Sequence, residues 1–137
     1  MFESDGAAAT EAVGATLADD LHAGEVVFVA GDLGTGKTTL VRGACRALGV
    51  QAAVTSPTFA IGHRYPTAGT LVVAHIDLYR LTDLGREDPD LLDAYLGPEL
   101  ITFVEWPDRA DGALGAPRVY VEIRHRGGDR RVIEVRG

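Results

Sequence analysis

The sequence predicts an α/β fold, with a mixed parallel and antiparallel sheet flanked by helices, and three local patterns lead to this class. An apolar run at residues 26–30 has the composition of a strand buried on both faces. A glycine-rich turn at 31–36 and a helical segment at 37–48 follow directly, and this order of strand, glycine loop and helix opens many α/β domains. Alternating apolar residues on both sides of Gly127 and Gly128 predict an antiparallel hairpin.

The other elements follow from periodicity and turn residues. Val13, Leu17 and Leu21 stand four residues apart and form one apolar stripe of a helix that Gly24 can end, as Gly49 can end the next. In chain order, the predicted elements are a helix at 10–22, a strand at 26–30, a helix at 37–48, strands at 58–65 and 70–77 around a turn at 66–69, a short surface helix at 87–96, and strands at 101–104, 119–123 and 132–135.

Composition indicates a globular chain with one domain, residues 1–137, in a reducing compartment. The hydrophobic fraction is 46% and the charged fraction 24%, as in ordinary folded proteins. The single cysteine, Cys45, excludes an internal disulfide and a metal cage of several cysteines, and we expect it to pack inside a helix. The first residues lack the apolar core of a signal peptide, and no stretch reaches the roughly 18 apolar residues of a membrane helix. We therefore expect a cytoplasmic protein without membrane contact.

The charge pattern excludes one class of partner and leaves another open. A net charge of −7 and a pI near 4.9 argue against a general nucleic-acid binder. Residues 77–111 hold ten of the twenty acids, whereas the last twenty residues hold six arginines. These two clusters are either solvated surface or docking faces for partners of opposite charge. Lys37 is the only lysine among thirteen basic residues, which makes it a candidate for a compact ammonium group among phosphates.

Residues 31–38, GDLGTGKT, match the full G-x-x-x-x-G-K-[ST] pattern of a phosphate-binding loop, or P-loop. Gly34 and Gly36 let the backbone curl so that N–H groups converge on a polyphosphate, and the next helix adds its N-terminal N–H groups. We expect Lys37 to lie between the β- and γ-phosphates and the Thr38 hydroxyl to bind Mg²⁺. The residues expected to contact the nucleotide are Gly31, Asp32, Leu33, Gly34, Thr35, Gly36, Lys37, Thr38, Thr39 and, from a later segment, Trp106.

A P-loop needs an acidic residue near its magnesium, normally at the end of an adjacent buried strand. Asp77 follows the apolar run at 71–76, and Glu105 follows the run at 101–104. Both are expected at the carboxyl edge of the sheet, where ligands collect. Spacing does not rank them: one is expected to meet the metal, and the other to orient water or to meet the metal through water.

A hydroxyl-rich loop, VTSPTF at 54–59, follows the P-loop helix. In switch-type nucleoside triphosphatases a loop in this place senses the γ-phosphate. Pro57 favours an extended Ser56, which leaves Thr55 and Thr58 free to reach a phosphate or metal. A plain turn is the alternative interpretation.

The four histidines show no metal-ligand spacing, and we interpret them as structural or solvent-facing. His75 shares its strand face with Asp77, however, and can therefore border the site.

Two other classes of P-loop protein, Ras-type GTPases and small-molecule kinases, need residues beyond the P-loop itself. Guanine recognition of the Ras type needs an N-K-x-D motif. The chain has no second lysine to form this motif, so GTP specificity by that route is excluded. A small-molecule P-loop kinase needs an acceptor pocket and an arginine-bearing lid, for which Arg80 and Arg86 are the candidates. This kinase and a nucleotide-gated binding module remain the alternatives to an ATPase.

Four blocks taken together, GDLGTGKTTLVRG, TSPTF, HIDLYRL and VEWPDR, resemble the TsaE (YjeE) family of bacterial ATPases over nearly the whole chain. The resemblance implies a P-loop fold and makes Lys37 and Thr38 the phosphate and magnesium residues. It places Thr58 in a switch-like loop, favours Glu105 as the direct magnesium ligand and makes Asp77 necessary for hydrolysis. Two departures, Thr35 in place of a common alanine and Ala60 in place of a frequent hydroxyl, remove no functional group.

The resemblance also implies an activity and partners. Members are expected to bind ATP or ADP with Mg²⁺, to hydrolyse ATP weakly, and to support formation of N6-threonylcarbamoyladenosine (t6A) at position 37 of tRNAs that read ANN codons. They act with the TsaD and TsaB subunits of the threonylcarbamoyl-transfer complex. Contact with tRNA is therefore expected to be indirect.

Overall fold

The computed structural model describes residues 1–57, 61–79, 92–110, 112 and 114–137. These residues form a seven-stranded sheet with strand order β1-β7-β6-β2-β5-β4-β3, and two longer helices pack on it. The elements are β1 (Phe2–Ser4), α1 (Ala7–Ala18), β2 (Val26–Gly31), α2 (Lys37–Ala47), β3 (Gly62–Pro66), β4 (Val72–Asp77), β5 (Leu100–Glu105), β6 (Val119–His125) and β7 (Arg131–Arg136). Short 3-10 helices cover Asp93–Tyr95 and Pro107–Ala110.

The sheet is parallel at its centre and antiparallel at its margins, as the sequence predicts. Strand β2 lies between β5 and β6 and runs parallel to both, and β4 runs parallel to β5. The hairpins β3–β4 and β6–β7 add antiparallel strands on the two sides, and β1 pairs antiparallel with β7 at one edge. The carboxyl ends of β2, β4 and β5 therefore meet at one edge of the sheet, where the P-loop begins and where Asp77 and Glu105 lie.

The core has one part on each face of the sheet. The larger part packs apolar side chains of α1 and α2, among them Cys45, onto inward side chains of the central strands. Burial of the Cys45 thiol raises its pKa to about 12. The smaller part lies on the opposite face and includes Ile76, Val104 and residues of the segment around Leu92. Cys45 is thus a packing residue, as the sequence predicts.

Helices α1 and α2 contact each other through glycines. An added Cβ at Gly14 would lie 2.0 Å from the Leu40 carbonyl oxygen, and one at Gly43 would lie 2.0 Å from the Glu11 carbonyl oxygen. No side chain fits at either position without moving the helices apart. This close approach packs α1 directly on the helix that starts at the P-loop.

Several predicted boundaries differ from the structure. The first helix covers Ala7–Ala18 rather than 10–22, and Leu21 is buried outside it. Two acids, Asp19 and Asp20, follow Ala18, and negative charge is unfavourable at a helix C-terminus. Gly24 has a φ of 94° in the turn before β2 and does not end the helix.

Two further segments differ, and one strand was not predicted. The predicted strand at 58–65 is β3, Gly62–Pro66, and residues 58–60 lie outside the described residues. Within the predicted helix at 87–96, the described part contains only the 3-10 helix Asp93–Tyr95. Strand β1 is three residues long and pairs with β7, and three residues are too few to show an apolar alternation in the sequence. In the part of the chain that is described, no helix is long and apolar enough to cross a membrane.

Candidate nucleotide site

The loop between β2 and α2 has the backbone of a phosphate cradle. Gly31, Gly34 and Gly36 have φ values of 152°, 78° and 107°, which side chains rarely allow. A Cβ at Gly31 would also lie 2.6 Å from the Ile123 carbonyl oxygen of β6. The Thr35 hydroxyl donates to the Asp32 carbonyl at 2.8 Å and closes the turn. Glycines are therefore required here by conformation and by the neighbouring strand.

Lys37 begins α2 and points back over the loop. Its side chain is 5% exposed, and Nζ donates to the carbonyl oxygens of Gly31 at 2.9 Å and Asp32 at 2.8 Å. The ammonium also lies 4.3 Å from the centre of the Trp106 ring. Burial lowers the pKa of Lys37, while the nearby Glu105 carboxylate opposes this shift. The charged group is thus held over the loop by carbonyls that phosphate oxygens can replace.

Glu105 ends β5 directly beside the P-loop helix. Its side chain is 3% exposed, and its Oε2 accepts a hydrogen bond of 2.8 Å from the Thr38 hydroxyl. The same oxygen lies 2.5 Å from Nε2 of His75 on the neighbouring strand β4. The structure therefore joins the predicted magnesium hydroxyl and one of the two predicted acids in one contact.

Asp77 stands beside Glu105 in the β4–β5 register but makes different contacts. Its Oδ2 accepts a hydrogen bond of 2.8 Å from the Ser56 hydroxyl, and its Oδ1 accepts one of 2.9 Å from the Tyr79 backbone N–H. Because Ser56 belongs to the hydroxyl-rich loop, Asp77 connects that loop to the edge of the sheet. Thr58, the predicted switch residue, lies outside the described residues.

Trp106 follows β5 with a φ of 58°, a left-handed conformation that non-glycine residues rarely adopt. The Tyr79 ring lies 5.0 Å from the indole, and the Arg109 guanidinium lies 5.8 Å from it. The backbone turn directs the indole towards Lys37, whereas simple strand alternation would place it on the face opposite Glu105. Trp106 is thus brought to the P-loop lysine, as its predicted place in the site requires.

The other loop positions contribute chiefly backbone. Asp32, Leu33 and Gly34 are exposed, and Leu33 is an apolar side chain with 67% of its surface in solvent. Thr39 is half-buried in the first turn of α2. Asp32, Leu33 and Thr39 can therefore offer backbone N–H groups to a phosphate without any requirement on their side chains.

Two contacts were missed by reasoning from sequence. The ring of His75 is fully buried against Glu105, although the alternation of β4 indicated only that it shares a face with Asp77. Arg131 of β7 donates from Nε to the Thr35 carbonyl at 3.0 Å, although it is 96 residues away along the chain. Strand alternation indicates only the face of His75, and no local signal indicates which residues of other strands either side chain contacts.

The donor set suits magnesium better than a metal that needs several side chains. Among the described residues, no group of three or more histidine, cysteine, aspartate or glutamate side chains could hold a metal ion. Thr38 and Glu105 instead provide hard oxygen donors at 2.8 Å from each other. Mg²⁺ is commonly bound by one or two protein oxygens together with phosphates and water. The residues present therefore fit a magnesium–nucleotide complex.

Comparison with known proteins identifies relatives of this chain. The family described as "Threonylcarbamoyl adenosine biosynthesis protein TsaE" matches residues 4–133. A Streptomyces coelicolor protein named tRNA threonylcarbamoyladenosine biosynthesis protein TsaE is 42% identical over 119 residues, which cover 85% of this chain and 80% of the relative. A Bacillus subtilis protein of the same name is 37% identical over 125 residues, which cover 90% of this chain and 77% of the relative.

A solved structure shares the fold as well. The crystal structure of Bacillus subtilis YdiB superposes with a TM-score of 0.78 at 31% sequence identity, covering 96% of this chain and 80% of the other. Both kinds of comparison agree with the resemblance found in the four sequence blocks. On this basis the chain belongs to the TsaE family and has the P-loop nucleoside triphosphatase (NTPase) fold of that family.

Proposed function

We propose that this chain, acting as one P-loop domain, binds ATP or ADP with Mg²⁺, hydrolyses ATP slowly and thereby supports t6A formation in tRNA. The observation that carries the nucleotide part is the contact between Thr38 and Glu105 beside a buried Lys37. The names of the relatives support the tRNA part, since they describe t6A biosynthesis proteins.

The chain's own groups suggest how the reaction would proceed. Backbone N–H groups of the loop and of the first turn of α2 bind phosphate oxygens. Lys37 exchanges the carbonyls of Gly31 and Asp32 for β- and γ-phosphate oxygens and neutralises their charge. Thr38 and Glu105 would hold Mg²⁺, which supplies charge stabilisation at the transferring phosphoryl group.

Asp77 is the residue we assign to the attacking water. It is half-exposed at the same sheet edge as Glu105, and it contacts Ser56 of the hydroxyl-rich loop rather than Thr38. A carboxylate in this place can orient a water molecule for attack on the γ-phosphate. Thr58, in the same loop, is proposed as a sensor of that phosphate.

The partners proposed are TsaD and TsaB, with tRNA contacted through them in the cytoplasm. A chain with a net charge of −7 gains little from direct contact with the tRNA backbone. Its exposed arginines near the C-terminus, among them Arg126 and Arg130, instead suit acidic protein surfaces. Association with the purified partner pair should therefore weaken as salt is raised, because such contacts are screened beyond roughly 8 Å at physiological ionic strength. Association independent of salt would contradict charge-led docking.

The test of the nucleotide site is Glu105→Gln, which removes a charge at nearly constant volume. We expect it to weaken Mg·ADP binding far more than binding of metal-free ADP, as measured by calorimetry. Glu99→Gln is the matched control, since Glu99 is exposed just before β5 and roughly 20 Å away at about 3.3 Å per residue. Equal weakening with and without Mg²⁺ would assign the metal to Asp77 or to another residue.

The test of the wider role compares ATPase activity and t6A formation with and without TsaD and TsaB. Slow hydrolysis alone, faster hydrolysis with the partners, and t6A formation that stops after one turnover when this chain is omitted would support an ATPase that resets the complex. Multiple turnovers supported equally by a hydrolysis-deficient Asp77→Asn variant would support a nucleotide-gated binding module. The kinase alternative depends on Arg80 and Arg86, which lie outside the described residues.

A further inference from the structure

The proposed mechanism gives no role to His75, yet this residue touches its central carboxylate. The His75 ring is fully buried on β4, and Nε2 lies 2.5 Å from Oε2 of Glu105. That oxygen also accepts the hydrogen bond from Thr38. One carboxylate oxygen is therefore held from two sides, by the P-loop helix and by the neighbouring strand.

The direction of the His75 contact follows from its surroundings. Nδ1 is buried and has no hydrogen-bond partner among the described residues, whereas Nε2 faces a carboxylate. A carboxylate can only accept, so the hydrogen lies on Nε2 whatever the charge of the ring. His75 thus donates to Glu105 and fixes the orientation of its carboxyl group.

Burial of an unpaired Nδ1 argues against a role in packing alone. A buried polar atom without a partner destabilises the folded state by about 1–3 kcal/mol, and an apolar side chain would fill the same space without that loss. The two register neighbours of His75, Phe103 on β5 and His63 on β3, make no hydrogen bond to it that would offset the loss. The compensating contact is the one to Glu105.

The other carboxylate oxygen of Glu105, Oε1, differs from Oε2 in its contacts. None of the described residues donates a hydrogen bond to Oε1 of Glu105. This atom is also not fully buried. With Oε2 held by Thr38 and His75, Oε1 is the oxygen left to face a cation. Fixing one oxygen of a ligand group orients the other, which is how groups behind a metal ligand raise metal affinity.

We propose that His75 is a positioning residue, which holds the Glu105 carboxylate in the orientation that binds the magnesium of the nucleotide complex. This inference rests on the proposed function, because it requires Glu105 to meet Mg²⁺. His75 itself contacts neither metal nor nucleotide.

The test uses two variants of nearly equal shape, His75→Gln and His75→Met. Glutamine carries an amide N–H that can reach the position of Nε2, whereas methionine has similar length and no donor. The measured quantity is the ratio of ADP affinities with and without Mg²⁺, obtained by calorimetry on the full chain. We expect His75→Met to lower this ratio about tenfold, in line with losses on removing groups behind metal ligands, and to leave metal-free ADP affinity within about twofold. His75→Gln should retain most of the ratio.

A double-mutant cycle with Glu105→Gln tests whether His75 acts through Glu105. In that background His75→Met should have no further effect on the magnesium ratio. Thermal unfolding checks that each variant folds, and His75→Leu replaces His75→Met if the latter does not.

The outcomes separate this inference from the function on which it rests. If the wild-type protein shows no effect of Mg²⁺ on ADP affinity, the proposed magnesium site falls and this inference with it. If the wild-type ratio is large but His75→Met keeps it, His75 has no positioning role. Equal losses in His75→Gln and His75→Met, or additive losses in the cycle, would also overturn the inference, because they would assign the effect to shape.

Discussion

Replacing Lys37 by alanine should weaken nucleotide binding strongly while the protein stays folded. In the free protein Nζ already donates to the carbonyl oxygens of Gly31 and Asp32. The gain on binding is therefore the difference between phosphate and carbonyl acceptors at two hydrogen bonds, and not their full strength. Taking about 1–2 kcal/mol for each exchange to a charged acceptor gives about 2–4 kcal/mol. This corresponds to a loss of about 30- to 1000-fold in affinity.

Two measurements check the expected loss. Calorimetry with Mg·ADP gives the change in affinity. Emission of Trp106, the only tryptophan, gives a local signal, because the Lys37 ammonium lies 4.3 Å from its ring and is expected to leave it for the phosphates. Saturable emission changes are expected in the wild type and only small ones in Lys37→Ala.

The matched control is Arg46→Ala, which removes one positive charge from the other end of the same helix. Arg46 is roughly 14 Å from Lys37 at about 1.5 Å per residue and forms an exposed ion pair with Glu11. Such pairs contribute little to stability. Unchanged affinity in Lys37→Ala, or an equal loss in Arg46→Ala, would refute the assignment of Lys37 to the phosphates. A wild type that binds Mg·ADP with flat emission would refute the place given to Trp106.

Three further predictions follow from single contacts. Gly43→Ala should lower the free energy of unfolding by about 2–3 kcal/mol, since the added Cβ meets a backbone oxygen at 2.0 Å; Gly69→Ala, where nothing lies within 4 Å, should change it by less than about 0.5 kcal/mol. Similar values for the two variants in denaturant unfolding would contradict the close helix contact. Cys45 should react with a thiol reagent only on unfolding, because it is buried and its pKa is raised to about 12. Almost no thiolate then exists at pH 8. Reaction at the rate of a free thiol in native buffer would contradict this prediction. Arg131→Gln should lower the free energy of unfolding by about 1 kcal/mol, the value of one hydrogen bond, because its bond to the loop carbonyl of Thr35 is already made in the free protein; unchanged stability in denaturant unfolding would contradict this contribution.

Local patterns predicted the centre of the fold because its strands are apolar along their length, although only β5 is buried throughout, while β2 alternates between buried and half-buried residues. The apolar runs at 26–30 and 101–104 became β2 and β5, and parallel pairing at the sheet centre needs such composition. The C-terminal hairpin followed from alternation around two glycines. The edge strand β1 could not be predicted in the same way, since three residues carry no periodicity and their pairing with β7 involves the far end of the chain.

The sequence by itself determined the chemistry of the site: a motif that places Gly34, Gly36, Lys37 and Thr38 in fixed positions on one loop depends only on local backbone geometry. The sequence did not determine which acid lies beside Thr38. Asp77 and Glu105 follow equivalent apolar runs, and only the strand order, with β5 next to β2, brings Glu105 within 2.8 Å of the hydroxyl. The same holds for His75 behind that carboxylate, because contacts between strands depend on register, and register is set by the packing of the whole sheet rather than by any one segment.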